Sequence, residues 1–295
     1  MLAPLLAAVA VAAGTGPTLG GCPVFPPDNP WNQDISFAPV SPQSDAYVNA
    51  ISARGDRFLH ADFGGGGQYG IPYKIVNRTQ AKVPVRFTES PDESDRGPYP
   101  IPRTARIEPG DGHVLVAQRG TCKLYELYGA RRRGRGLVAG SGAVFDLGTG
   151  ALRPEGWTSA DAAGLPILPG LARRDEADAG AIHHALRITV PVTQKAYIHP
   201  ATHWASSNTD TDQPPMGLRV RLKAGYDISG LRGQAHAIAE ALKTYGAIVA
   251  DNAGSPRVYV GGVVDKGWDD EALNGIKSIP ASALEAVQTG PVVRP

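Results

Sequence analysis

Two carboxylates in this sequence could do chemistry together. Asp161 closes the tetrad Thr158-Ser159-Ala160-Asp161, flanked by Trp157 and followed by a loop stiffened by Pro166 and Pro169. Such a loop suits a carboxylate held beside a ligand; the plainer reading is a cap on Thr158 or on a short turn. Glu126 lies in the alternating run Cys122 to Tyr128, on the face of Cys122 and Leu124, so it is either buried and paired or lining a cleft. Two carboxyls held roughly 5 to 10 Å apart are what glycoside hydrolysis requires, one as acid and the other as base or nucleophile.

The run Ala181 to Val190 reads as a strand. Alternation places His184 with Ile182, Leu186, Ile188 and Val190 on one face, and His183, Arg187 and Thr189 on the other. His184 is then either a hydrogen-bonded core residue or, like Arg187, a group that orients the carboxylates and tunes their charge. His183 and Arg187, two strand rows apart, could hold a hydroxyl-rich or anionic ligand. His203 and Trp204 add a polar ring and an indole of the kind sugar rings stack on, and Trp157 and Asp251 join them as expected substrate contacts.

Metal chemistry has weaker support. His199 and His203 stand at i and i+4, with Pro200 at a first helical position and His183 as a third ligand for zinc, but no HExxH motif is present. Asn208, Asp210 and Asp212 alternate as the ligands of a calcium loop do. Gln213 and Arg219 stand where an EF-hand needs Gly and Glu, so the alternatives are a structural calcium and a solvated Asx-rich loop. No other cofactor is expected. The Gly64 to Gly67 run lacks the Lys and the strand-to-helix setting of a phosphate cradle and reads as a turn. Arg131 to Arg135 reads as a basic hairpin tip, with a hold on an acidic polymer as the minority reading.

The elements that must position these residues are mostly strands. Gly 36 and Pro 26 in 295 residues are too many for a helix bundle and imply turns joining short strands. Apolar or alternating runs occur at Ile71–Val76, Val83–Phe87, His113–Ala117, Cys122–Tyr128, Ala143–Leu147, Ala181–Val190, Lys195–His199 and Leu218–Lys223. In the last, apolar residues alternate with cations, as in a strand with one face in the core and one in solvent. This spacing predicts a mainly β chain, a two-sheet β-sandwich of jelly-roll type, with one amphipathic helix near the C-terminus. The helix spans Gln234 to Tyr245, carries Ala235, Ile238, Leu242 and Tyr245 on one stripe, and ends before a capping Gly246. Strand-like runs follow at Ala247–Ala250 and Arg257–Val264, and Asp45–Ala53 suits a short helix.

The expected division is a signal peptide over 1–13, a proline-rich strap over 14–34 anchored by Trp31, one sandwich domain over 35–270, and a tail over 271–295. The apolar run Leu2 to Ala13 is too short to span a bilayer and ends in small residues suited to a signal peptidase, though no Lys or Arg precedes it. In an exported chain the two cysteines invite one bridge, Cys22–Cys122. The rival is a lipobox at Leu19-Gly20-Gly21-Cys22, against which stands the polar break between the apolar run and Cys22. A net charge of +1 provides no field for collecting nucleic acid or an anionic membrane.

The blocks FPPDNPWN, YGIPY, GPYPIP, TCKLYELY, GWTSADAAGLPILPGLARRDE, HHALRITVP, HWASS, PPMGLRVRLKAGYDISG and ALKTYGAIVADN resemble those of a family of secreted soil-bacterial proteins, over about Cys22 to Asp270. The resemblance implies secretion, one folded unit and a shared cysteine pair, and brings neither an activity nor a catalytic residue with it. From the residues, the expectation is a secreted, monomeric protein acting on extracellular poly- or oligosaccharide, first as a glycoside hydrolase. The alternatives are a polysaccharide lyase, with Arg187 and a His neutralising a uronate, and a non-catalytic carbohydrate-binding or envelope protein.

Overall fold

The computed structural model describes residues 16–53 and 56–295, so the expected signal peptide lies outside the described residues. In chain order the strands are β1 Thr18–Leu19, β2 Cys22–Pro23, β3 Leu59–Ala61, β4 Tyr73–Val76, β5 Val85–Phe87, β6 Val114–Gln118, β7 Lys123–Tyr128, β8 Arg131–Arg133, β9 Gly136–Ala139, β10 Ser141–Asp146, β11 Leu186–Val190, β12 Arg219–Leu222, β13 Ala247–Asn252, β14 Val258–Val260 and β15 Leu284–Ala286. The α-helices are α1 Ser44–Ser52, α2 Arg174–Asp178, α3 Gly233–Thr244 and α4 Asp270–Asn274. None of these helices is long and apolar enough to cross a membrane.

The protein is mainly β. A six-stranded sheet runs β15-β12-β13-β11-β14-β3, a four-stranded sheet β10-β7-β6-β4, and a three-stranded sheet β5-β9-β8. Strands of a jelly roll pair antiparallel; here β11–β13, β3–β14, β4–β6 and β5–β9 pair in parallel. Parallel neighbours need a long crossover, and α3 lies on the one from β11 to β13. Its predicted stripe, Ala235, Ile238 and Leu242, is buried. Gly246 then turns the chain at φ +64, where a Cβ would lie 2.2 Å from the Val220 carbonyl oxygen, so both conformation and space demand glycine.

The four-stranded sheet follows the alternation of its strands. Leu115, Leu124 and Phe145 enter the large core with Leu186 and Val249 of the six-stranded sheet. Val114, Val116, Tyr125 and Leu127 face a second core shared with Leu137 and Ala139 of the small sheet. Glu126 has the parity of Leu124 and so points into the large core.

Three expectations about elements change. Residues 218–223 were expected to be half-solvated, yet β12 is buried at every position, Arg219 and Arg221 included. The strap crosses that face, and Arg219 donates to the carbonyls of Pro30, Gln33 and Tyr245, while Arg221 binds Glu285 and the Ile35 carbonyl. Lys195–His199 forms no ladder, only bridges from Tyr197 to Met216 and Val293, because Pro191, Pro200, Pro214 and Pro215 punctuate both sides. The segment 271–295 is woven into the fold: β15 is an edge of the six-stranded sheet, α1 packs on it, and Val293 pairs with Tyr197.

The strap is anchored by Trp31, which is 2% exposed and packs so close to Gly170 that a Cβ there would meet its ring at 2.5 Å. Cys22 and Cys122 form a disulfide across a separation of 100 residues, joining the strap to the start of the β7 hairpin. Replacing both cysteines by alanine is expected to lower unfolding free energy by roughly 2–4 kcal/mol, the usual worth of a bridge closing a long loop, read as a lower urea midpoint.

Candidate active site

A cleft of about 480 Å³ opens where the two larger sheets meet. The four-stranded sheet supplies His113, Tyr128 and Ser141, the six-stranded sheet Asp251 and Asn252 from the end of β13, and the loop between them Thr158 to Ala162. His203 and the carboxylates of Glu89 and Asp111 complete its wall.

Asp161 lines this cleft at 2% exposure. Its turn is closed by other groups: the Asp161 amide donates to Ser159 Oγ at 2.8 Å, and Thr158 Oγ1 donates to the Asp161 carbonyl at 3.2 Å. The carboxylate is therefore free of capping and takes two bonds from Arg187, from Nε to Oδ2 and from Nη2 to Oδ1, each 3.0 Å. Such a two-pronged pair is the strong form of a carboxylate–guanidinium contact. Arg187 Nη2 also stands 3.6 Å from Asp251 Oδ2, so one nitrogen links two carboxylates whose nearest oxygens are less than about 7 Å apart. Burial alone would lower the Arg187 pKa, but Asp161 more than offsets it and holds the guanidinium above its ordinary value.

Asp251 differs from Asp161 in exposure and proton affinity. Its side chain is 36% exposed, and burial of the rest, together with the Asp161 charge and against the pull of Arg187, pushes its pKa up to about 6. Opposite, His113 is buried with both ring nitrogens engaged, Nδ1 by Glu108 and Nε2 by the Ala160 carbonyl at 3.2 Å. Burial would lower its pKa, and the Glu108 carboxylate overrides that and raises it. With acceptors on both sides, the ring sits as a fixed double donor supporting the Asp161 loop.

Glu126 is corrected as a cleft residue. It is wholly buried behind the cleft, where Oε2 accepts the Ile167 amide at 2.8 Å and Oε1 the Leu168 amide at 2.9 Å. Burial pushes its pKa up to about 7 in spite of those two donors, with the nearby Asp161 charge adding to the rise. The carboxyl pins the proline-stiffened loop and has no access to a substrate. Because the folded-state pKa is raised from 4.5, the folded protein keeps a proton between about pH 4.5 and 7 that the unfolded chain has lost. Glu126 thus favours folding least above pH 7, and stability falls as pH rises through that window. In Glu126→Gln the slope of unfolding free energy against pH should be flatter between 5 and 7; an unchanged slope would contradict this assignment.

The other expected residues scatter. His184 is fully buried away from the cleft, with Nδ1 against the Ala185 carbonyl at 2.7 Å and Nε2 against Glu176 at 3.2 Å. It lies before β11 begins, so the alternation that would have set it and His183 on opposite faces does not apply. His183 is exposed beside the Tyr245 hydroxyl, 3.4 Å away, and does not share a floor with Arg187. Trp157 lies outside the cleft lining under the Arg153 guanidinium, 5.6 Å from the ring centroid. Trp204 stacks on His203, with centroids 4.9 Å apart, and runs parallel to Tyr197 at 6.2 Å, so it borders the cleft through His203. The three histidines of the zinc reading have separate partners: His183 Tyr245, His199 Glu155 and His203 the Ala162 carbonyl. In the Asx-rich loop, Asn208 Oδ1 accepts the Asp210 amide and Asp210 Oδ1 the Asp212 amide, each at 3.0 Å, so the alternation serves successive Asx turns. Among the described residues no group of three or more His, Cys, Asp or Glu side chains is arranged to hold a metal ion.

Sequence reasoning missed His113, Glu108, Tyr128 and Ser141 as site residues. All stand at strand ends or the turn before one, and the only signal was a histidine immediately before an apolar strand with a glutamate five residues earlier. Comparison of the chain with family models, with curated proteins and with solved structures returns no match.

Proposed function

We propose that the protein is a secreted glycoside hydrolase in which Asp251 is the acid and Asp161 the second carboxylate. The observation that carries this reading is the pair itself: two carboxylates on one guanidinium nitrogen in a polar cleft, one partly exposed with raised proton affinity and the other sealed in an ion pair. Environments that push two carboxyls apart in this way separate an acid from its partner. Their nearest oxygens lie less than about 7 Å apart on one side of the cleft, so the exposed carboxyl would protonate the leaving oxygen while the Asp161 carboxylate, sealed against Arg187, acts through its charge. His203 backed by Trp204 supplies a flat wall for a ring, and the disulfide supports an oxidising, extracytoplasmic setting. The lyase reading has less support, because Arg187 is already matched by Asp161 and Glu89 and Asp111 would repel a uronate. A neutral glycan suits the cleft better.

The test is release of reducing ends from a panel of neutral polysaccharides, with activity followed against pH. A working acid must hold its proton, so the rate should fall as pH rises through about 6. A rate that rose through that pH would assign Asp251 the part of a base.

A further inference from the structure

A second cavity, of about 560 Å³, shares no lining residue with the cleft. It lies between the strap, β12 and β13, and the segment after β15, and its lining includes Asn32, Asp34, Arg219, Ile248 and Thr289. Arg219 and Ile248 are opposed in the antiparallel β12–β13 ladder, so their side chains leave the sheet on one face. We propose that this cavity is a binding site for a small organic carboxylate, the anionic group that a uronic acid carries.

Two observations carry this. Arg219 is 4% exposed, and among the described residues no carboxylate lies within ion-pair reach of it, unlike the other buried arginines described, Arg153, Arg173, Arg187 and Arg221, each of which has an acidic partner. Its partners are only the carbonyls of Pro30, Gln33 and Tyr245, which take Nε–H, one N–H of Nη1 and both of Nη2, leaving one Nη1 donor unassigned. A buried guanidinium without a counter-charge is costly, and a ligand carboxylate supplies both the charge and an acceptor for the spare donor. The Asp34 carboxylate also lines the cavity, with Oδ1 taken by the Ser36 amide and hydroxyl, and the ring of His199 is held by Glu155, so Arg219 is the cavity's cation without an acidic partner.

The probe is D-glucuronate, with D-glucose as the neutral counterpart bearing the same ring hydroxyls and inorganic phosphate as an anion of different shape. Calorimetric titration of the whole protein should give saturable binding of glucuronate, with glucose and phosphate each at least tenfold weaker. Arg219→Met removes the donor to three carbonyls and can unfold the protein. The deciding variant is therefore Thr289→Glu, which brings a competing carboxylate to the exposed rim of the cavity and should weaken glucuronate at least tenfold. Asp251→Asn, in the other cleft, should leave glucuronate affinity unchanged. Absence of glucuronate binding, equal binding of glucose or phosphate, or binding that follows Asp251→Asn instead of Thr289→Glu would each overturn the assignment.

Discussion

Asp251→Asn is expected to lower turnover on a susceptible polysaccharide by about 10²- to 10⁴-fold while leaving the fold intact, since a general acid contributes on that scale and the amide occupies nearly the same volume. The side chain stands at the end of β13, partly exposed, and its one close charge contact is Arg187 Nη2 at 3.6 Å, too long for a hydrogen bond whose loss would unfold the protein. The same change at Glu126 serves as the control. Glu126 does not line the cleft, so Glu126→Gln should leave turnover within a few-fold of the parent even as it alters the pH dependence of stability. If Glu126→Gln abolished activity and Asp251→Asn did not, the acid would be misassigned. Substrate affinity, followed separately from turnover, should change little in Asp251→Asn, because in the proposed reaction the group acts on the leaving oxygen and not on the rest of the sugar.

The second large effect is on stability. Arg187→Met should destabilise the protein by about 3–5 kcal/mol, because it strands the Asp161 carboxylate, 2% exposed, without the two bonds that compensate its burial. Burial of the pair need not itself favour the fold, since well-packed apolar residues of similar volume can replace such pairs at little cost. Arg187→Met combined with Asp161→Leu should therefore recover most of the loss. A urea-denaturation cycle over the two single variants and the double variant measures the coupling directly. A double variant as unstable as the sum of its parts would show that Arg187 and Asp161 act independently.

Local pattern carried the helix over α3, its Gly246 cap, the Trp31 anchor and the Cys22–Cys122 bridge, because each rests on spacing along the chain or on two cysteines with one way to pair. The same alternation that placed Glu126 beside Leu124 was right about its face and silent about what lies opposite. Only the fold shows that the opposite surface is the Ile167–Leu168 amide pair and not a cleft. Arg219 and Arg221 read as solvent-facing because a strand with alternating cations ordinarily has one wet face. The strap that covers that face starts nearly two hundred residues earlier, beyond any local window. The parallel pairings of β4 with β6 and β11 with β13 were invisible for the same reason, since strand order depends on crossovers and not on strand composition. Of the expected site, Asp161, Arg187, Asp251 and His203 do come together, three of them on loops or strand ends that the β-sheets hold in place. His183 and His184 do not, because the chain before Leu186 is not yet a strand.

Hydrolysis of a glycosidic bond in the Asp161–Arg187–Asp251 cleft, as proposed, is decided by incubating the purified protein with a panel of neutral and acidic polysaccharides and following both reducing ends and ultraviolet absorbance of unsaturated products. The expected result is new reducing ends from at least one neutral glycan, no unsaturated product, and loss of both binding and cleavage when the cleft is blocked by a bulky change at Ser141 or Asn252. Reducing ends accompanied by unsaturated product would make the protein a lyase, and binding of a glycan with no cleavage at any pH would contradict the hydrolase and leave a carbohydrate-binding protein.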